Sequence, residues 1–314
     1  MAQTVFIDGA AGTTGLEIRE RLSGRSDLKV VQLGDADRKD ATARARALND
    51  ADLVVLCLPD DAARQAVSLI ENPGVRVIDA STAHRTAPGW TYGFPELEAD
   101  QRTKIAASKR VSNPGCWATG FVALARPLVR AGVLPADFPV TTNGVSGYSG
   151  GGKGMIEEFE KKDSPKYVAT VVRNYALTLA HKHLPEMQVH TGLAHPPVLA
   201  PFVGRFYRGM LVELPLALWA LPGKPTTAAI HQVLADAYRG EALVEVAAAD
   251  TTAASLDAEA LKGTNRIKLF VFGNDASGQV RLVALLDNLG KGAGGAAVQN
   301  LNIMLGLPET TGLL

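Results

Sequence analysis

Two cysteines in 314 residues, Cys57 and Cys116, are too few for a disulfide framework. An excess of charge is also missing. With 32 Lys and Arg set against 32 Asp and Glu, the formal net charge is zero, which argues against nucleic acid or an anionic membrane as partner. No uninterrupted apolar run is long enough to span a bilayer. The N-terminus passes from Met1 into an apolar strand and glycines, without the basic, apolar and small-residue order of a secretion signal. There is no internal repeat and no low-complexity linker. The expectations left standing are a cytoplasmic protein, a small-molecule partner and, at this length, two domains.

The stretch that organises the chain is Val111-Ser112-Asn113-Pro114-Gly115-Cys116-Trp117-Ala118-Thr119-Gly120. Pro114 and Gly115 punctuate it, Asn113 is a candidate cap, and Phe121, Leu124, Ala125, Leu128 and Val129 recur at helical spacing. A thiol at such a helix start faces unpaired backbone N–H groups and the positive end of the dipole, which favours the thiolate. The same N–H groups can hold an oxyanion on a carbonyl that sulfur attacks. Cys116 is therefore a candidate nucleophile; the alternative is a small buried residue opening a core helix. Cys57, inside Leu53-Val54-Val55-Leu56-Cys57-Leu58, reads as part of a buried strand.

Before that stretch, strands and helices alternate in a doubly wound α/β pattern. Thr4-Val5-Phe6-Ile7-Asp8 is a strand, followed by Gly9-Ala10-Ala11-Gly12-Thr13-Thr14-Gly15 and a helical run from Leu16. Such a turn admits a pyrophosphate to a helix N-terminus, although the spacing is G-x-x-G-x-x-G. The second strand, Leu28 to Leu33, leads to Arg38 and Lys39, cations placed to receive a 2'-phosphate and hence to favour NADP; a solvated charged loop is the alternative. Strands at 53–58 and 75–79 flank a helix from Asp60 to Glu71. The loop after the latter strand offers Ser81 and Thr82 to a cofactor and Arg85 to an anionic substrate or a surface ion pair.

Beyond the cysteine helix, a strand at 140 enters what reads as a long, mobile glycine loop, Gly144 to Gly152, with Ser149 and Lys153 as donors for phosphate or carboxylate. It is not a Walker loop, because Gly154 follows Lys153. In Ala180-His181-Lys182-His183-Leu184-Pro185-Glu186, an extended backbone would put His181 and His183 on one face, either one able to act as general acid/base. No third His or Cys stands at ligand spacing, so no metal site is expected. Strands at 210–216, 266–273 and 279–286, with a helix at 226–238, suggest a mixed, largely antiparallel sheet. Glycines between Asn288 and Gly295 open a last helix, a second candidate anion or cofactor site.

Taken together, G-A-A-G-T-T-G at 9–15, D-A-S-T-A-H-R at 79–85, S-N-P-G-C at 112–116, S-G-Y-S-G-G-G-K at 146–153, H-K-H-L-P-E at 181–186 and D-N-L-G-K-G-A-G-G-A-A-V-Q-N at 287–300 resemble the N-acetyl-gamma-glutamyl-phosphate reductases of the shorter bacterial type, in the aspartate-semialdehyde dehydrogenase superfamily. The resemblance spans the chain. It implies a Rossmann-type, doubly wound parallel sheet over 1–115, completed by a C-terminal helix in 288–314, and an α+β catalytic and dimerisation domain over 116–287. It also implies NADPH-dependent reduction of an acyl phosphate to an aldehyde in arginine biosynthesis, with Cys116 as nucleophile, by a homodimer or homotetramer. His181 and His183 share the family's histidine motif, and the choice between them stays open. Gly9, Gly12, Thr13, Thr14, Gly15, Arg38, Lys39, Ser81 and Thr82 are the cofactor candidates, joined by Asn288 and Gly292 on family position. Arg85, Asn113, Ser149 and Lys153 are the substrate candidates. The competitors are a sister reductase acting on aspartyl phosphate or a carrier-bound aminoadipyl phosphate, and a non-catalytic NADP-binding regulator.

Overall fold

The computed structural model describes residues 2–34 and 36–313; the side chain of Lys39 also lies outside the described part. The chain divides into two compact units, 1–115 with 293–314, and 116–292.

The first unit alternates as its apolar runs predict: β1 (Gln3–Asp8), α1 (Thr13–Leu22), β2 (Leu28–Val31), α2 (Ala41–Asp50), β3 (Leu53–Leu56), α3 (Asp60–Ser68), β4 (Arg76–Asp79), β5 (Thr91–Tyr92), α4 (Gln101–Ala107) and β6 (Arg110–Ser112). The strands form one six-stranded sheet in the order β2-β1-β3-β4-β6-β5. Every pairing in it is parallel. Leu53, Val54, Val55 and Leu56 are fully buried because helices cover both faces of such a sheet, which is why the run is continuous and not alternating. The order reverses direction at β1, between β2 and β3, and ligands of doubly wound sheets bind at the strand C-termini beside such a reversal.

In the second unit, α5 (Cys116–Arg130), β7 (Thr141–Gly147), α6 (Gly152–Glu160), β8 (Val172–Asn174), α7 (Leu184–Thr191), β9 (Val198–Gly204), β10 (Met210–Ala217), α8 (Thr227–Ala237), β11 (Val244–Val246), β12 (Ile267–Asn274) and β13 (Gln279–Leu286) follow in turn. The seven strands run β11-β12-β13-β10-β7-β9-β8, with β7/β9 and β11/β12 parallel and the remaining pairs antiparallel. Val212, Leu214, Leu282 and Leu286 alternate inward under α5, whose residues 117–125 are all buried. A Cβ on Gly120 would enter the Val212 side chain, so glycine is what lets helix and sheet close up. Pro127 sits inside α5 and lacks the N–H that would bond Ala123. The freed Ala123 carbonyl accepts the Tyr238 hydroxyl at 2.8 Å instead.

The chain then returns to the first unit through a wide π-type turn at Gly290–Gly294 and α9 (Gly295–Met304). This last helix is buried on nearly all sides, its polar Gln299, Asn300 and Asn302 included.

Two local expectations fail. The glycine stretch after β7 is not a long irregular loop: it tightens into a 3-10 turn over Tyr148–Gly151 and continues as α6. Stacking of Tyr148 on Phe159, with ring centroids 5.1 Å apart, is a tertiary restraint that glycine content does not reveal. His181 and His183 are not on an extended segment either. His183 caps α7 in a helical conformation, with Pro185 in the first turn fixing the helix start.

Candidate active site

In the first unit, the glycine turn fits a dinucleotide phosphate. Gly9 has φ +86°, and a Cβ there would collide with the Cys57 carbonyl; a Cβ on Gly15 would strike the Gly9 carbonyl. The turn closes with the Gly12 N–H donating to the Gly9 carbonyl at 3.0 Å. Gly12 caps α1 without a side chain, and no acid occupies the first turn, so the positive helix end is left to a ligand. Thr13 carries a buried hydroxyl with no hydrogen-bond partner among the described residues, an orphan that a phosphate oxygen would satisfy. Thr14 follows it in α1. Arg38 is exposed in a 3-10 turn, Asp37–Lys39, past the end of β2; the Lys39 side chain is outside the described part.

The next two strand ends are braced by carboxylates. Asp60 accepts from the Thr82 N–H at 3.0 Å and from its hydroxyl at 2.5 Å. Asp79, fully buried, accepts from the Ser81 N–H at 2.9 Å and hydroxyl at 2.7 Å, and its other contact is His84 Nδ1 at 2.6 Å. The His84 ring stacks on Trp90 at 4.1 Å. Ser81 and Thr82 thus spend their hydroxyl protons internally and can offer a cofactor their lone pairs. Arg85 is buried, donating from Nε to the Asn113 carbonyl at 3.0 Å and from Nη2 to the Ala80 carbonyl at 3.1 Å. The side chain is therefore not on the surface, where an ordinary exposed ion pair would sit.

Asn113 does not cap α5. Its side-chain N–H donates to the Ala293 carbonyl at 2.9 Å, and its Oδ1 accepts from Asn300 Nδ2 at 3.2 Å. The partners that redirect it lie 180 and 187 residues away in sequence.

In the second unit, Cys116 is the first residue of α5, as its turn residues predict. The Trp117 indole N–H donates to the Tyr175 hydroxyl oxygen at 2.9 Å. Burial, and next the negative charge Cys116 would carry, hold the Tyr175 hydroxyl protonated well above the ordinary phenol range. Tyr175 therefore stands beside the cysteine as a neutral O–H whose own proton is not spent on Trp117. The Tyr175 ring lies 5.9 Å from His181, and His181 lies 4.8 Å from His183, edge to face. The His183 backbone N–H donates to His181 Nδ1 at 3.1 Å, which selects the neutral tautomer with the ring proton on Nε2. His183 is only 5% exposed, and Glu186, three residues on in the first turn of α7, is buried as well. The structure so brings Cys116, Tyr175 and His181 into one neighbourhood; Tyr175 carried no sequence signal beyond being an aromatic ahead of the histidine motif.

Ser149 and Asn288 are buried and bonded to each other at 2.9 Å, while Asn288 Oδ1 accepts from the Gly209 N–H at 2.8 Å. Lys153 is exposed in the first turn of α6. Gly292 lies against Cys116, and a Cβ there would crowd the cysteine Cβ at 2.8 Å. Among the described residues no group of three or more His, Cys, Asp or Glu is arranged to hold a metal, and no helix is long and apolar enough to cross a membrane.

Residues 4–105 match the semialdehyde dehydrogenase NAD-binding domain model, and 116–288 the semialdehyde dehydrogenase dimerisation domain model. Among solved structures, aspartate semialdehyde dehydrogenase II from Vibrio cholerae superposes with a TM-score of 0.71 over 97% of this chain and 98% of that one, at 14% identity. A probable aspartate-semialdehyde dehydrogenase from Pseudomonas aeruginosa gives 0.72 over 97% and 99%, at 16% identity. At those identities the likeness speaks to the fold. Sequence relatives are far nearer: N-acetyl-gamma-glutamyl-phosphate reductase 2 of a Nostoc species is 53% identical over 98% of both chains. The N-acetyl-gamma-glutamyl-phosphate reductase of Brucella anthropi is 53% identical over 98% of this chain and 99% of its own. Identity of this degree over nearly the whole chain, with both domain models matched, places the chain in the N-acetyl-gamma-glutamyl-phosphate reductase family.

Proposed function

We propose that this protein reduces N-acetyl-γ-glutamyl phosphate to the corresponding semialdehyde, releasing phosphate, with NADPH as the reductant, in arginine biosynthesis. The observation that carries the reading is Cys116 at the start of α5 beside Tyr175, whose ring lies 5.9 Å from His181, in a chain this similar to named reductases of that substrate.

Cys116 attacks the acyl carbon; a C–S bond forms as the bond from that carbon to the phosphate oxygen breaks, and phosphate leaves with the electron pair. The α5 N–H groups and the Tyr175 hydroxyl stabilise the negative charge that collects on the carbonyl oxygen. Nicotinamide, when bound, supplies the hydride that reduces the resulting thioester. The carbonyl oxygen that becomes negative on reduction takes the His181 Nε2 proton, and its return to Nε2 as the C–S bond breaks gives the aldehyde and the thiolate. The fixed tautomer is what favours His181 over His183 for this role, since His183 is buried and its backbone serves to orient its neighbour. Gly9, Gly12, Gly15 and the Thr13 hydroxyl would hold the pyrophosphate, and Arg38 past β2 favours a 2'-phosphate, hence NADP. Lys153 is the cation offered to the substrate's anionic groups.

Self-association is proposed through the second unit. Val171 and Val172 are 73% and 52% exposed at the β8 end of its sheet, with Val198 and Phe202 exposed on the adjoining β9. Sedimentation should give a multiple of the 33.1 kDa chain mass, reduced by Phe202→Glu.

The deciding experiment is the reverse reaction: phosphate-dependent reduction of NADP by N-acetylglutamate semialdehyde. Turnover with aspartate semialdehyde and none with the N-acetylated substrate would transfer the assignment to the sister activity.

A further inference from the structure

Asn113 stands three residues before the cysteine and is 1% exposed, yet each of its backbone and side-chain polar groups is engaged. Its N–H donates to the Asp79 carbonyl at 2.7 Å, and its carbonyl accepts from Arg85. Its amide N–H reaches Ala293, on the segment by which the chain re-enters the first unit, and its Oδ1 accepts from Asn300 in α9. Asn300 is fully buried, and its Nδ2 also donates to the Gly93 carbonyl at 2.8 Å. Gly93 in turn donates from its N–H to the Ser112 carbonyl at 2.8 Å, so Asn300 braces the turn at Asn113 and again through Gly93. A Cβ on Gly93 would collide with the Asn300 amide, which makes glycine the condition for the brace.

The Asn300 Oδ1 is buried with no hydrogen-bond partner among the described residues. A residue kept only to fill space would be apolar, because leaving a carbonyl oxygen unsatisfied costs roughly 1–3 kcal/mol. The amide is worth that cost for its two N–H groups, which face two acceptor oxygens that a flipped amide would repel. Pro114 and Gly115, both buried, then carry the chain to Cys116, with φ of Pro114 fixed by its ring.

We propose that Asn300 is a positioning residue for Cys116: it locks Asn113, and a short proline-stiffened lever passes that placement to the thiol. The proposal rests on Cys116 being the nucleophile. It gives the C-terminal helix a part in catalysis through hydrogen bonding, separate from any contact with cofactor.

The test is Asn300→Leu in the full-length protein, read by three measurements. Expected are a fall in kcat of roughly tenfold to a hundredfold with substrate KM within about twofold, as for a slightly misplaced reacting group, an unaltered NADPH affinity by fluorescence titration, and a displaced pH profile for iodoacetamide labelling of the Cys116 peptide. Asn113→Ala should reproduce these changes, and the double variant should be no worse than either single one. A wild-type kcat, a loss residing in NADPH affinity or substrate KM, or a labelling profile that superposes on wild type would each overturn the proposal. Should Asn300→Leu fail to fold, Asn300→Asp keeps the shape while removing the donors, and Gly93→Ala displaces the amide without altering it; the same readouts decide. The premise is tested apart from the brace: turnover surviving Cys116→Ser removes the premise, whereas turnover that needs Cys116 but ignores Asn300 removes the brace alone.

Discussion

Cys57 and Cys116 both lie just past the C-terminal end of a strand of the same parallel sheet, β3 and β6, and they have been given opposite environments. Cys57 is hemmed in: its carbonyl lies under Gly9, its N–H donates to the Asp8 carbonyl at 2.8 Å, and the carboxylates of Asp79 and Asp8 stand near its sulfur. Burial, then those two negative charges, push its thiol up to about 12. Cys116 instead begins a helix, with a neutral hydroxyl as neighbour. Strand-end position alone therefore does not make a cysteine reactive. The difference lies in the residues between strand and helix: Leu58-Pro59 delays α3 to Asp60 and leaves Cys57 outside the helix, whereas Pro114-Gly115 delivers Cys116 into the first turn of α5.

The sharpest break of that comparison is Cys116→Ser. It should lower turnover by roughly 10⁴-fold or more, as removal of a nucleophile does, while leaving NADPH affinity intact by fluorescence titration. Substantial residual turnover would mean that the reaction does not pass through the thiol.

Gly9→Ala attacks the Cys57 side of the pair. The substitution forces a Cβ onto the Cys57 carbonyl at a left-handed φ of +86°. Strain of this type costs on the order of 1–3 kcal/mol. The expected result is a loss of NADPH affinity on the order of ten- to a hundredfold, seen in cofactor KM with the labelling rate of Cys116 unaltered.

Tyr175→Phe removes the hydroxyl beside Cys116 while keeping the ring against His181. A kcat reduced about tenfold is expected, less than the roughly hundredfold or more that loss of a dedicated oxyanion-hole donor costs, and the orphaned Trp117 N–H should register as a shift in tryptophan emission. An unchanged kcat would confine Tyr175 to packing.

How much of this was legible in the sequence depends on how far apart the partners are. The turn at Gly9–Gly15 and the helix start at Cys116 are local, and periodicity with glycine and proline placement located both. The parallel first sheet and the mixed second one followed from alternation of elements. Asn113 was legible only as a possible cap or substrate contact, because what commits it is Asn300 and Ala293, far along the chain. Likewise Tyr175 acquires its place from Trp117, 58 residues earlier. The histidines would share a face on an extended backbone, and their spacing alone does not say whether the backbone is extended; the Nδ1 acceptor at His181 comes with the turn that leads into α7.

The smallest effect on turnover belongs to Cys57→Ala, expected within about twofold of wild type at neutral pH, the range for a substitution away from reacting groups. Its signature lies in alkali. The thiol's folded value of about 12 stands above the ordinary 9.0, so the native state keeps a proton that the unfolded chain releases between them. Native stability from this group is therefore whole below pH 9 and is lost as pH rises toward 12. Urea midpoints of wild type should fall between pH 8.5 and 10.5, and Cys57→Ala should flatten that fall relative to wild type. Labelling gives the same comparison in one sample. Burial and protonation both hold back Cys57, so at neutral pH its labelling should lag that of Cys116 and rise only in alkali. Equal labelling of the two peptides at pH 8 would dissolve the contrast, since it would show that two acids and burial do not keep the Cys57 proton in place.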